Sequence, residues 1–164
     1  MILKTTRTTI TPLAESDIPE IMEMYREPDS NKFIPPLLDK DDDYYNDFLS
    51  TKIENNKSDV GFWTVRDLTQ NTFIGTVNLN QFADTNMMHI GCHLKRDFWN
   101  QGYAYELMSR LRDHGIEDKQ LSAIHGIFNE EHIVSAKLLK KLKFTFFETR
   151  IENKKQLNIY RYTP

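Results

Sequence analysis

The hydrophobic pattern is clearest in residues 87–111, where an apolar strand, a polar turn and an amphipathic helix follow one another. Ile90, Cys92 and Leu94 recur at every second position, as apolar residues do in a half-buried β-strand. The turn is Asn100-Gln101-Gly102. It is followed by apolar residues at the spacing of one helical face, namely Ala104, Leu107, Met108 and Leu111. The pattern predicts a strand that passes through a tight turn into the start of a helix.

The same periodicities predict strands and helices in the order β-α-α-β-β-β-α-β-α-β-β. The predicted strands are Leu3–Thr11, Gly61–Asp67, Thr72–Phe82, Met87–Leu94, Leu121–Phe128, Phe144–Ile151 and Leu157–Tyr162. The predicted helices begin at a capping box that starts at Asp17, in the acidic run Asp39–Asp43, at Gln101 and at the N-cap Asn129. Short links predict an antiparallel meander, and a helical crossover predicts that Leu121–Phe128 is parallel to Met87–Leu94. The fold class is therefore α+β.

Length and composition narrow the possible classes of protein. The 164 residues are predicted to form one domain, 1–164, and the net charge of −3 gives no electrostatic footprint for nucleic acid. Leucines interrupt the basic cluster Lys137–Lys143 at helical spacing, so a solvated helix face is favoured over a nucleic-acid patch. With Cys92 as the single cysteine, neither a disulfide within the chain nor a cysteine-based metal site is expected. No secretory signal or membrane span is predicted, and a cytoplasmic location is expected.

The Asn100-Gln101-Gly102 turn is the main candidate for chemistry. The first N–H groups of a helix have no intrahelical partner and lie at the positive end of the helix dipole, so one hypothesis is a bound phosphate group. The alternative is an ordinary connection between strand and helix, because Asn and Gly are common turn residues. The turn is neither a Walker A loop nor a GxGxxG motif.

Four side chains outside the turn are further candidates. Ser135 lies on an apolar helical face, where its hydroxyl bonds either to the preceding turn or to a ligand. His89 and His93 share one strand face, and each either exchanges protons near neutral pH or has a structural role. No third residue has the spacing that would complete a zinc site with them. Glu148 follows two phenylalanines and either acts as a base or points to solvent.

Four segments carry short motifs in a fixed order along nearly the whole chain. They are Thr6-Arg7 with Thr11-Pro12-Leu13, Gly61–Gly75, Ile90-Gly91 with Phe98–Glu106, and Ser135 with Leu138–Phe144. In that order they resemble TxRLxLRPL, a hairpin ending in IG, IGY…YWGKGYATE and NxxSxxVLEKLGF. These are motifs of the GNAT superfamily of N-acetyltransferases, in its ribosomal-protein (RimJ/RimL-like) branch, which the chain therefore resembles.

The resemblance implies a mixed, mostly antiparallel sheet of about seven strands, flanked by four helices, in which the parallel strand pair splays apart. It implies acetyl-CoA as the co-substrate, with no metal. It also implies direct transfer of the acetyl group, in a ternary complex, to a primary amine, which is a protein N-terminus or a small molecule. Neither nucleic acid nor a membrane is an expected partner, and the chain is expected to be a monomer or a homodimer.

The resemblance also implies roles for particular residues. Ser135 would protonate the leaving thiolate. The base is a hypothesis from residue type and not from the resemblance: His89 or Glu148 would take the proton of the amine. Backbone groups near Leu94 would hold the pantetheine amides. The remaining cofactor-binding positions are Asn100, Gln101, Gly102, Tyr103 and Ala104, which would hold the pyrophosphate, and His132.

The chain departs from the family pattern at four positions. Asn100 replaces the first glycine of the turn, and His132 replaces the asparagine of NxxS. Lys143 replaces the glycine of LGF, and His89 stands where many relatives carry glutamate. These departures support a second hypothesis, a non-catalytic acetyl-CoA-binding sensor or partner subunit. Turnover distinguishes the two hypotheses, and a purely structural domain would gain no stability from acetyl-CoA.

Overall fold

The computed structural model describes residues 2–57 and 59–164. The strands of this part of the chain are β1 (Leu3–Lys4), β2 (Thr8–Pro12), β3 (Gly61–Asp67), β4 (Phe73–Gln81), β5 (Met88–Leu94), β6 (Ile124–Asn129), β7 (Thr145–Glu152) and β8 (Lys155–Tyr162). The α-helices are α1 (Ile18–Tyr25), α2 (Asp42–Asn55), α3 (Tyr103–Asp113) and α4 (Ile133–Lys141). None of the helices in the described residues has the length and apolar character that a bilayer crossing requires.

The strands form a sheet in the order β1-β2-β3-β4-β5-β6-β8-β7. The β1/β2, β2/β3, β6/β8 and β7/β8 neighbours are antiparallel, whereas β5 and β6 are parallel. His89 pairs with His125 at the second residue of each parallel strand, which agrees with a pair that splays beyond that point. The predicted fold class and the predicted parallel pair are therefore confirmed.

The chain divides into two compact units. The first contains the residues up to Asn78 together with Cys92–Tyr103, and the second contains Leu79–Gly91 and Ala104–Pro164. The single domain expected over residues 1–164 stays a prediction.

The core of the first unit packs α1 and α2 against the sheet. Its buried side chains are Leu13, Ile21, Met22, Met24, Tyr25, Leu37, Tyr45, Leu49 and Phe73. Each buried side chain of this size contributes about 1.5–3 kcal/mol relative to an exposed one. The buried side chains of α2, Tyr45 and Leu49, belong to this core. Asp41, in the predicted acidic run, caps the helix by accepting a hydrogen bond from the Tyr44 N–H.

The capping box predicted at the start of α1 is wrong. The Asp17 carboxylate accepts hydrogen bonds from the Ala14 N–H at 3.0 Å and the Thr64 hydroxyl at 2.8 Å, and forms an ion pair with Arg66 at 2.9 Å. Glu20 also pairs with Arg66, at 2.7 Å. These acids therefore attach α1 to β3 instead of capping the helix, because a cation on the neighbouring strand competes for both carboxylates.

The N-terminal segment predicted as one strand is two. The Thr5 N–H donates to the Thr8 carbonyl at 3.0 Å, and the two threonine hydroxyls are 2.6 Å apart. This turn folds β1 back onto β2, so that Leu3 pairs with Ile10. The threonine-rich pattern shows extended backbone, but it does not show where side-chain bonds reverse the chain.

In the second unit, α4 lies close to β6. A Cβ added to Gly126 would come within 2.5 Å of a Leu139 methyl group, so glycine permits this approach. The N-cap predicted at Asn129 is wrong. The Asn129 side chain accepts a hydrogen bond from the Glu131 N–H at 2.9 Å and closes a turn before the helix, and His132 is the N-cap residue.

The last turn of α4 ends in a left-handed residue. Lys143 has φ 72°. Its N–H donates to the Lys140 carbonyl at 3.0 Å, and the Phe144 N–H donates to the Leu139 carbonyl at 2.9 Å. This pair of bonds is a Schellman motif, which favours glycine at the position that Lys143 occupies.

Replacing Lys143 with glycine is therefore expected to raise the free energy of unfolding by about 1 kcal/mol, because glycine lacks the Cβ that disfavours left-handed backbone. Lys137→Gly, at an exposed position inside α4, is the matched control. It is expected to lower the free energy of unfolding by about 1 kcal/mol, because glycine is unfavourable inside a helix. Urea unfolding measures both values. A Lys143→Gly variant less stable than the unsubstituted chain would contradict the prediction.

Candidate functional site

The predicted turn is an exposed segment of left-handed backbone before α3. Asn100 has φ 59° and Gly102 has φ 83°. Asn and Gly are the residues that adopt this conformation at least cost. Asn100, Gln101 and Gly102 are exposed, whereas Tyr103 is buried and Ala104 is partly buried. The helix predicted from Gln101 begins at Tyr103, because the left-handed turn precedes it.

Side chains hold the segment between β5 and this turn. The Trp99 indole N–H donates to the carbonyl of Leu94 at 2.9 Å, and the Gln101 amide donates to the carbonyl of Asp97 at 2.6 Å. Two backbone carbonyls of the segment are thereby satisfied from within it. The conformation of the turn is therefore fixed by contacts of its own residues.

Arg7 forms a further contact with the turn. Its Nη1 donates to the Gln101 carbonyl at 3.0 Å, and its guanidinium lies 3.8 Å from the centre of the Tyr103 ring. A guanidinium stacked on an aromatic ring keeps a fixed orientation and brings a positive charge to the turn. Arg7 is not among the residues predicted for the site. Its partner is 94 residues away, and nothing in the local sequence marks that contact.

The C-terminal end of β5 is positioned by a close approach to β4. A Cβ added to Gly75 would lie 2.2 Å from the His93 carbonyl oxygen and 2.9 Å from the Leu94 Cα. Any other residue at position 75 would push the two strands apart. Gly75 therefore sets the place of Leu94, whose side chain is buried.

His93 belongs to a packed polar cluster of the first unit. Its ring stacks on Tyr25 at 5.4 Å between centroids, and its Nε2 lies 2.7 Å from the Ser30 hydroxyl. Burial lowers the pKa of His93 to about 4, so the ring is neutral at pH 7. Of the two hypotheses for His93, these contacts support the structural one.

In the second unit, His89 has a defined tautomer. Its Nδ1 lies 2.9 Å from the Asn80 carbonyl oxygen, and its ring meets the edge of Phe82 at 5.7 Å. A carbonyl only accepts, so Nδ1 carries the proton and, in the neutral ring, Nε2 carries the lone pair. His125, the β6 partner of His89, donates in the same way to the Met88 carbonyl at 3.1 Å.

Glu148 is partly exposed on β7. Arg150 donates to its carboxylate at 3.4 Å, and 39% of its side chain is accessible to solvent. The strand has a register shift between Phe146 and Glu148, and Phe147 contacts His125 at 5.6 Å and Arg161 at 4.1 Å. The two phenylalanines therefore do not enclose the carboxylate.

Ser135 is paired with His132 at the start of α4. The Ser135 Oγ lies 2.7 Å from the His132 Nδ1. Burial lowers the pKa of His132. Both residues are predicted site residues, but their contact is not predicted. Their spacing of three could have indicated the contact, because residues three apart on a helix are neighbours.

The single thiol has no acidic character. Cys92 is partly buried, and burial raises the pKa of its thiol to about 12. A thiolate is the reactive form of cysteine, so Cys92 stays unreactive near neutral pH. In residues 2–57 and 59–164 no group of three His, Cys, Asp or Glu side chains is arranged to hold a metal ion.

Comparison with known proteins identifies the family. The model of the acetyltransferase (GNAT) domain matches residues 7–145. The uncharacterized N-acetyltransferase p20 of Bacillus licheniformis is 35% identical over 72 residues, which are 43% of this chain and only 40% of that protein's length.

Solved acetyltransferase structures share the fold over the whole chain. An acetyltransferase from Agrobacterium tumefaciens superimposes with a TM-score of 0.85 at 20% identity and covers 100% of this chain and 95% of its own. RimL, a ribosomal L7/L12 α-N-protein acetyltransferase in complex with coenzyme A, superimposes with a TM-score of 0.82 at 14% identity. The match covers 99% of this chain and 98% of the RimL chain. At these identities the likeness is one of fold.

The buried His93 predicts a dependence of stability on pH. In the unfolded chain a histidine has a pKa of about 6.5, so between pH 6.5 and about 4 the unfolded state binds a proton that the folded state excludes. Stability is therefore complete above this window and falls as the pH falls through it. From pH 7 to pH 5 the contribution of His93 to the free energy of unfolding is expected to fall by about 2 kcal/mol.

The check compares urea unfolding of the unsubstituted chain with that of His93→Gln, whose amide bonds to Ser30 but does not titrate. Between pH 7 and pH 5 the free energy of unfolding of the variant is expected to fall by about 2 kcal/mol less than that of the unsubstituted chain. Ser30→Ala, which keeps the imidazole, is expected to retain most of the pH dependence. An equal fall in the free energy of unfolding in the unsubstituted chain and in His93→Gln would show that His93 does not cause the pH dependence.

Proposed function

This chain belongs to the GNAT acetyltransferase family of acyltransferase enzymes, and we propose that it moves an acetyl group from acetyl-CoA to a primary amine. The observation that carries the proposal is the exposed left-handed turn at Asn100–Gly102, with the Arg7 guanidinium on its Gln101 carbonyl. Backbone N–H groups at a helix start, together with a fixed cation, suit a pyrophosphate. In this proposal the departures at Asn100 and Lys143 are compatible with binding, since both residues adopt left-handed backbone.

The proposed donor contacts follow from the turn and the preceding strand. The N–H groups from Gln101 to Ala104 would bind the pyrophosphate. Backbone groups near Leu94 would bind the pantetheine amides, and an N–H of this segment would polarise the thioester carbonyl. The close approach at Gly75 and the Trp99 bond to the Leu94 carbonyl support this role, because both hold the end of β5 in one position.

The proposed reaction is direct attack in a ternary complex. The amine nitrogen attacks the thioester carbonyl carbon and loses one proton, and the carbon–sulfur bond breaks with its electron pair on sulfur. His89 is the proposed base, because its Nδ1 donates to Asn80 and the neutral ring then accepts at Nε2. Glu148, the alternative base, already accepts a hydrogen bond from Arg150. Ser135 would protonate the leaving thiolate.

The proposed acceptor is a protein N-terminal amine, with small primary amines as the alternative. An α-amine has a pKa of about 8, so roughly a quarter of it is neutral near pH 7.5, whereas a lysine amine with a pKa of about 10.4 is almost fully charged. A histidine base is therefore better matched to an α-amine. RimL, which shares the fold, is an α-N-protein acetyltransferase of ribosomal L7/L12.

The test is release of free thiol from acetyl-CoA over a panel of peptides with free N-termini, the same peptides with blocked N-termini, and small primary amines. Turnover is expected on free amines, with mass spectrometry placing one acetyl group on the product. Ser135→Ala is expected to lower kcat about tenfold, which is less than the usual effect of losing a general acid because a thiolate leaves readily. The Kd of acetyl-CoA is expected to change less than about threefold.

Two failures are distinguishable. Acetyl-CoA that raises the melting temperature without turnover on any amine would support the non-catalytic binding module. Millimolar acetyl-CoA that leaves the melting temperature unchanged would contradict every acetyl-CoA-based function, because a ligand that binds the folded state must stabilise it.

Arg7→Ala is expected to raise the Kd of CoA about tenfold, because it removes both a charge beside the proposed pyrophosphate and a contact that holds the turn. Arg7→Lys keeps the charge without the planar stack and is expected to give an intermediate Kd. Calorimetry with CoA and with pantetheine, which lacks the pyrophosphate, measures the difference. An equal loss of affinity for both ligands would contradict a role at the pyrophosphate.

A further inference from the structure

The start of α4 contains two side chains that are placed to pass a proton between them. The 2.7 Å separation of Ser135 Oγ and His132 Nδ1 is within the range of a normal hydrogen bond. His132 is the N-cap residue of α4, and the helix is held against β6 by the contact between Leu139 and Gly126. Both polar side chains are only partly buried. The pair is therefore fixed in place and remains accessible to solvent.

The imidazole of this pair is suited to proton exchange. Because burial lowers the pKa of His132, the ring is neutral at pH 7, with a proton on one nitrogen and a lone pair on the other. Such a ring gives a proton from one nitrogen while it takes one on the other. Asparagine, the residue that the family motif carries here, forms hydrogen bonds but does not exchange protons near neutral pH.

We propose that His132 resupplies the proton that Ser135 donates to the departing CoA thiolate, an inference that rests on the proposed function. As the carbon–sulfur bond breaks, sulfur keeps the electron pair and takes the hydroxyl proton of Ser135. In the tautomer that carries its proton on Nδ1, the His132 ring gives that proton to the Ser135 oxygen, and Nε2 takes a proton from water. The amine proton, which His89 takes and then releases to solvent, balances this uptake. His132 acts through Ser135 and is a positioning residue.

The test is a double-mutant cycle of His132→Asn and Ser135→Ala in the full chain. His132→Asn is expected to lower kcat about tenfold with a change in the acetyl-CoA KM of less than about threefold, and to have no effect on kcat in the Ser135→Ala background. Lys137→Gln, exposed on the same helix, is the matched control and is expected to leave kcat unchanged. Urea unfolding of each variant measures its stability.

A second measurement applies even where Ser135→Ala is too slow to assay. The kcat of the unsubstituted chain is expected to depend on the fraction of D₂O along a more strongly curved line than that of His132→Asn, because one fewer proton moves in the variant. An equal loss of kcat in both backgrounds would overturn the proposal, since His132 would then act on the structure of α4. An unchanged kcat in His132→Asn would also overturn it. Absence of turnover by the unsubstituted chain would instead refute the proposed function.

Discussion

The candidate site depends on a short segment of left-handed backbone between β5 and α3. A Cβ atom disfavours this conformation. Asparagine and glycine, which occupy positions 100 and 102, adopt it at least cost. Trp99 and Gln101 hold the segment through two carbonyls, and Arg7 adds a third bond from the N-terminal strand region. The first N–H groups of α3 follow this turn directly, and in the proposed function they bind the pyrophosphate.

Burial assigns different roles to histidines that look alike in the sequence. His93 is stacked on Tyr25 and bonded to Ser30, and its neutral ring serves the packing of the first unit. His89 bonds to the Asn80 carbonyl and His132 to the Ser135 hydroxyl, and each of these partners bears on the proton chemistry of its ring. The cost of charging a ring in apolar surroundings separates a structural histidine from one that can exchange protons.

Most of the fold could be predicted because the signals for it are local. The alternation in Gly61–Asp67 predicted the bounds of β3 as the structure has them, and a helical crossover predicted the parallel pair of β5 and β6. The errors lie at element ends, where other side-chain contacts compete with helix capping. Arg66 takes the carboxylates of Asp17 and Glu20 from the start of α1, and a side-chain turn at Asn129 delays the start of α4.

The sequence by itself determined the family, the place of the turn and the identity of the serine helix, because short motifs and helical spacing involve neighbouring residues. Only the tertiary structure decided that Arg7 lies on the turn and that Glu148 is paired with Arg150. The spacing of His132 and Ser135 allows the two side chains to meet, but the structure decided that the Ser135 hydroxyl bonds to the His132 ring. A side chain's partner depends on rotamer, burial and competing groups, and those are set when separate parts of the chain pack together.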